Sequence, residues 1–151
     1  MILDQKVVVP APPERVWEFV MDVPSVAQCV PGVESVEQVS DDEYIGALKV
    51  RVGPIGVRLE GKVTITERNA EERRATMAVE AADRRIKGAV NAKSTLQLEP
   101  LEDGTTALAV HTDAAILGKL GEFGQAIMRR KADQIMKEFA TNMSNRIVSG
   151  A

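Results

Sequence analysis

Cysteine and histidine each occur once in the 151-residue chain, as Cys29 and His111. An internal disulfide is therefore excluded, and a zinc site of the usual Cys/His type lacks its ligands. Aromatic residues make up only 3% of the sequence, so large rings to fill a core are scarce. A basic excess is also missing: the formal charge of −3 argues against a general nucleic-acid binder, while leaving room for a local basic patch. No uncharged run approaches the roughly 18 apolar residues of a membrane span. The opening MILDQKVVV carries Asp4 and Lys6 where a signal peptide needs an unbroken apolar stretch. These absences lead us to expect a soluble, cytoplasmic protein that remains free to lie against the inner face of a membrane. Repeats, low-complexity tracts and linkers are missing too, so residues 1–151 read as one domain.

Periodicity is what the sequence does have. After a strand over Ile2 to Val9, Pro12 and Pro13 mark a helix start, where a missing N–H does little harm. Val16, Trp17, Phe19 and Val20 give that short helix its apolar side. Pro24 ends it and opens a second short helix that stops at Pro31-Gly32. From Val33 to Ala115 about six strands follow, separated by turn signals at Asp41-Asp42, Gly53 to Gly56, Asn69 to Glu72, Asp83 to Arg85 and Glu102 to Gly104.

Alternation sorts their faces. Tyr44, Gly46, Leu48, Val50 and Val52 share one side, as do Val57, Leu59, Gly61, Val63 and Ile65, and again Gly88, Val90, Ala92, Ser94, Leu96 and Leu98. Charged residues dominate the other side, as in an antiparallel sheet with one buried face. From about Leu117 to Val148 the spacing becomes helical, with Leu120, Phe123, Ile127, Met128, Ile135, Phe139, Met143 and Ile147 gathered on one broad face. We therefore expect an α+β fold in which a curved antiparallel sheet of about seven strands wraps a long C-terminal helix.

Small residues on the inward face admit two readings. Gly46, Gly61, Gly88, Ala92 and Ser94 either permit curvature and close helix approach, or leave room for an apolar ligand. Met128, Met136 and Met143 suit an adaptable lining as well as an ordinary core. Catalytic machinery is harder to find. His111 alternates out of phase with Leu108 and Val110 and is expected to face outward, beside Asp113. A general base has to reach its substrate, so His111 is a poor candidate. No Gly-x-Ser-x-Gly, P-loop or Gly-x-Gly-x-x-Gly motif is present, and no inward carboxylate pair emerges.

The stretch VPSVAQCVPGVESVEQV resembles a signature of the carbon monoxide dehydrogenase G-subunit (CoxG) family, within the START-like or SRPBCC superfamily. APPERVWEFVMDV at 11–23, KVRVGPIGVRLEGKVTITE at 49–67 and DGTTALAVHTDAAILGKLGEFGQAI at 103–127 resemble the same family in the same order. The resemblance implies a helix-grip fold around an apolar cavity. It also implies an accessory protein that links a molybdenum-containing carbon monoxide dehydrogenase, or a related hydroxylase, to the membrane and takes a lipid or isoprenoid quinone. No covalently bound cofactor is implied. Such a ligand would lie between Leu48, Val50, Leu59, Val63, Val90 and Leu96 on the sheet and Leu120, Ile127 and Ile135 on the helix.

Cys29, Pro31 and Gly32 match the family's Cys-x-Pro-Gly turn, with Cys29 expected as a small apolar residue there or at the cavity mouth. Gly118, Gly121 and Gly124 match the glycine-bearing start of its last helix, where each would cost about 1 kcal/mol relative to alanine. Close packing on the sheet or a movable ligand portal would offset that cost. Longer family members carry a C-terminal extension resembling a membrane-attachment segment. This sequence stops at Ser149-Gly150-Ala151, so either the role differs or the chain is shortened. Arg129-Arg130-Lys131 either touches anionic head groups or forms a solvated helix face. Two other readings stay open: an enzyme like the superfamily's cyclases and hydrolases, and a ligand-free interaction module with a filled interior.

Overall fold

In the computed structural model, which describes residues 1–150, β1 (Ile2–Val9) leads into α1 (Pro13–Val20) and α2 (Val23–Cys29). The strands β2 (Val33–Gln38), β3 (Glu43–Val52), β4 (Ile55–Asn69), β5 (Arg74–Asp83), β6 (Gly88–Pro100) and β7 (Thr106–Gly118) follow. A 3-10 turn at Gly121–Phe123 then precedes α3 (Gln125–Val148). All neighbouring strands are antiparallel, in the order β1-β7-β6-β5-β4-β3-β2. This is the expected helix-grip architecture, with seven strands, two short helices after the first strand and a long C-terminal helix.

Local chemistry sets the boundaries. Pro12 caps α1 in extended conformation and Pro13 takes its first turn. Asp22 caps α2, its carboxylate accepting from the Ser25 N–H at 3.4 Å and the Ser25 hydroxyl at 2.9 Å. Register shifts at Val33/Ser35 in β2 and Ile65/Glu67 in β4 are bulges, which bend the strands and coil the sheet.

The last helix starts later than its hydrophobic spacing suggests. Leu117 and Gly118 still belong to β7, and Leu120 lies in the connection, not on α3. Gly118 has φ +63°, and a Cβ there would stand 2.0 Å from the Lys87 carbonyl oxygen. Gly124, at φ +86°, directly precedes α3. None of the three glycines sits inside that helix, so no helix-propensity cost arises and no portal is needed to offset one.

Two packed clusters lie at opposite ends of the sheet. The first joins Val9, Val16, Val20, Cys29, Leu98, Leu108, Met143 and Ile147, with Trp17, Phe139 and Leu96 against it. The second joins Val52, Val57 and Leu120, with Val50, Leu59, Val90, Ile116, Phe123 and Met128 against it. Met143 is therefore core, not an adaptable lining, since it is fully enclosed.

Candidate functional site

The cross-strand register places Leu48 opposite Leu59, Val50 opposite Val57, Tyr44 opposite Val63, Val63 opposite Val79, and Leu96 opposite Val110. The six sheet residues expected to line a cavity thus share the concave face. Their surroundings differ. Leu96 packs against the first cluster, and Val50, Leu59 and Val90 against the second. Leu48 and Val63 belong to neither and are half-buried.

The helix-side residues also separate. Leu120 is fully buried in the second cluster, where it fills the space a Cβ on Gly88 would take: that atom would lie 2.7 Å from Leu120 Cγ. It acts as core, an outcome of its place in the connection. Ile135 is half-buried, and Ile127 keeps 36% of its surface, so neither is packed as a core residue. The middle of the concave face is therefore apolar yet outside both packed clusters.

Hydrogen bonds show what holds α3 in place. Near its start, Arg129 Nη1 donates to the Ile2 carbonyl at 2.8 Å, and Gln5 Nε2 donates to Asp133 Oδ1 at 2.9 Å. Near its end, Arg15 Nη2 donates to the Ile147 carbonyl at 3.1 Å, a cation at the negative end of the helix. Both ends are thus tied to β1 and α1, on one side of the sheet. Arg129 and Arg130 are both exposed, and Arg129 is tethered by its bond to the Ile2 carbonyl. Met136 lines a crevice of about 380 Å³ between β1 and α3, and Met128 packs in the second cluster.

The inward glycines owe their size to close approach. A Cβ on Gly61 would lie 2.0 Å from the Glu80 carbonyl oxygen, and one on Gly46 2.4 Å from that of Ser35. The curvature reading accounts for these two positions without any ligand. β5 supplies residues that sequence reasoning missed, because its run ATMAVEAA has small side chains on both faces. Met77 and Val79 lie on the concave face beside Ile65 and Val63, and both are half-buried.

Polar groups on this face are few. Ser94 and Thr112 face each other with hydroxyl oxygens 2.7 Å apart, and Tyr44 is buried. His111 lies on the convex face, its Nδ1 2.6 Å from Asp4 Oδ1 of β1, and both side chains are more than half exposed. Its neighbour is Asp4, not Asp113. This pair has no access to the concave side and cannot serve as a base there.

Cys29 is enclosed in the first cluster, which removes it from any cavity mouth. Burial pushes its thiol pKa up, while the nearby Arg146 guanidinium pulls it down more weakly. Its carbonyl accepts from Asn142 Nδ2 at 3.0 Å. Pro31 and Gly32 form the turn after α2, with Gly32 at φ +88° and its carbonyl accepting from the Lys49 N–H at 2.8 Å. Gly118 and Gly121 lie beside the second cluster, outside α3. Among the described residues, no helix is long and apolar enough to cross a membrane.

Comparison with solved structures shows the same fold. A conserved protein from Geobacillus kaustophilus is 21% identical, with a TM-score of 0.90 over 99% of this chain and 96% of that one. A START superfamily protein from Mycobacterium smegmatis is 12% identical, with a TM-score of 0.71 over 99% of each chain. Norcoclaurine synthase from Thalictrum flavum, a point mutant bound to a transition-state analogue, is 13% identical, with a TM-score of 0.71 over 99% of this chain and 95% of that one. A comparison with curated proteins found no match. The model of one family, the carbon monoxide dehydrogenase G-subunit (CoxG), matches residues 6–148, and with the START-like helix-grip fold in place the chain belongs to the CoxG family.

Proposed function

We propose that this protein is a non-catalytic accessory protein that holds a long apolar ligand between the middle of the sheet and α3. One observation carries the reading: Leu48, Val63, Met77, Val79 and Ile135 are apolar and half-buried but belong to neither packed cluster. Native interiors are close-packed, so half-buried apolar residues that join neither packed cluster suit an exchangeable apolar guest. Burying such a guest contributes roughly 25 cal/mol per Å² of its apolar surface, before association costs. The class proposed is a lipid or an isoprenoid quinone, held without a covalent link.

Family membership supports the second half of the proposal. The partner would be a molybdenum-containing carbon monoxide dehydrogenase or a related hydroxylase, and the ligand-bearing protein would join that enzyme to the inner face of the membrane. Residues of this chain contribute binding and shielding from water; any electron exchange belongs to the partner and the ligand. Solvent extraction of natively purified protein, followed by mass spectrometry, tests the ligand reading. A quinone or lipid near one molecule per chain supports it, and an empty extract after incubation with both overturns it.

A further inference from the structure

The convex face carries a second feature that the ligand reading does not use. A concavity of about 720 Å³ lies across β3, β4 and the turn after β5, and Lys49, Arg51, Arg58, Arg84 and Arg85 line it together with the carboxylates Glu60 and Asp83 and the apolar Val50 and Val57. A smaller recess of about 340 Å³ shares Arg84 and extends to Lys87. The chain as a whole has a formal charge of −3, so this cluster of cations runs against the overall balance.

Some of these charges are already met. Arg58 pairs with Glu34 at 2.6 Å and with Glu60, and Arg85 pairs with Asp83 at 3.4 Å. Lys49, Arg51, Arg84 and Lys87 make no ion pair among the described residues. We propose that this recess docks an extended, carboxylate-rich segment of a protein partner. The pairs at Arg58 and Arg85 show the chemistry at work within the chain, since guanidinium groups match carboxylates in both shape and charge.

The layout of the cations favours a polypeptide over other anions. Lys49 and Arg51 are two residues apart on one face of β3, a separation of about 6.8 Å, which equals the spacing of alternate side chains along an extended chain. Arg58 lies directly across from Lys49, and Arg84 and Arg85 close the far end. A single phosphate would call for donors converging on one point, whereas these are strung along the recess. The proposal rests on Lys49, Arg51 and Arg84, none of which the ligand reading uses, so its failure and that of the ligand reading are separable.

Fluorescence anisotropy of a labelled deca-glutamate peptide, titrated with the full chain at low ionic strength, provides the test. The wild-type protein should bind, and adding salt should weaken the complex. Arg51→Glu combined with Arg84→Glu should weaken it about 10-fold or more. Arg130→Glu combined with Lys137→Glu changes the net charge equally on α3 and should shift the affinity by less than about 2-fold. If the charge-reversed recess does not fold by circular dichroism, Arg51→Gln with Arg84→Gln takes its place. No binding by the wild type overturns the proposal, and so does equal weakening by both double variants. Flotation with phosphatidylcholine/phosphatidylglycerol vesicles in place of peptide binding would assign the recess to a membrane surface instead.

Discussion

Asn142 on α3 donates through its Nδ2 to the carbonyl of Cys29 at 3.0 Å, joining the C-terminal helix to the end of α2. The acceptor belongs to a residue with no exposed surface, so the bond sits at the edge of the first packed cluster. Replacing Asn142 with Ala should cost about 1 kcal/mol, lowering the thermal midpoint by roughly 2–4 °C. An unchanged midpoint in calorimetry would show that the helix end is held by packing alone.

The Cys29 side chain makes a different prediction. Its thiol is enclosed and its pKa raised, so a thiol-reactive dye at neutral pH should label it only as fast as the chain opens. Cys29→Ser places a hydroxyl among Val16, Val20 and Met143 and should destabilise the fold by about 1–3 kcal/mol. Labelling at the rate of a free thiol would contradict this assignment.

Gly118 should tolerate no side chain. Alanine there would adopt a left-handed conformation and set its Cβ 2.0 Å from the Lys87 carbonyl oxygen. Conformation alone costs about 1–2 kcal/mol and the contact adds to it, so a drop in thermal midpoint of roughly 4 °C or more is expected. Gly56, whose added Cβ would meet nothing within 4 Å, is the control, and Gly56→Ala should stay within about 1 kcal/mol of the wild type.

Asp83 links stability to pH. Its carboxylate accepts from the Arg58 N–H at 2.9 Å and the Arg85 N–H at 3.0 Å, and the bond from Arg58 is the chief cause of its lowered pKa. A carboxylate with a depressed folded-state pKa stabilises the protein above the unfolded value, about 3.9, and loses that contribution as pH falls through the folded value. Asp83→Asn should therefore be less stable than wild type at pH 7, with the gap closing below about pH 4 in denaturant titrations. A gap of constant size across that range would assign the effect to side-chain shape.

Much of this architecture was legible in the sequence because its signals were local. Prolines at 12 and 13 announce α1, and period-two alternation in β3, β4 and β6 assigns Leu48, Leu59, Val63 and Val90 to one face. Alternation reports which way a side chain points, not what it meets. Leu96 and Leu120 ended in packed clusters, while Leu48 and Ile135 did not, and only the tertiary position of α3 separates the two cases. The start of α3 escapes the pattern for a similar reason: Leu117 and Leu120 fit a helical period, but Gly118 and Gly124 take backbone angles that break it. The cationic recess was also invisible in sequence, since Arg51 and Arg84 meet only through the pairing of β3, β4 and β5.

Val63→Trp separates an open interior from a filled one. With space beside Val63, an indole should be accommodated with little loss of stability and should displace the ligand. In a filled interior the same substitution overpacks and costs about 1–3 kcal/mol or more.

Native mass spectrometry of the intact protein, wild type beside Val63→Trp, reads directly whether a ligand occupies the sheet-helix interior. A non-covalent adduct with the mass of a lipid or isoprenoid quinone is expected on the wild type, and the bare chain mass for a folded Val63→Trp. A wild-type protein that shows only its bare mass, even after incubation with quinones and membrane lipids, would contradict the ligand reading.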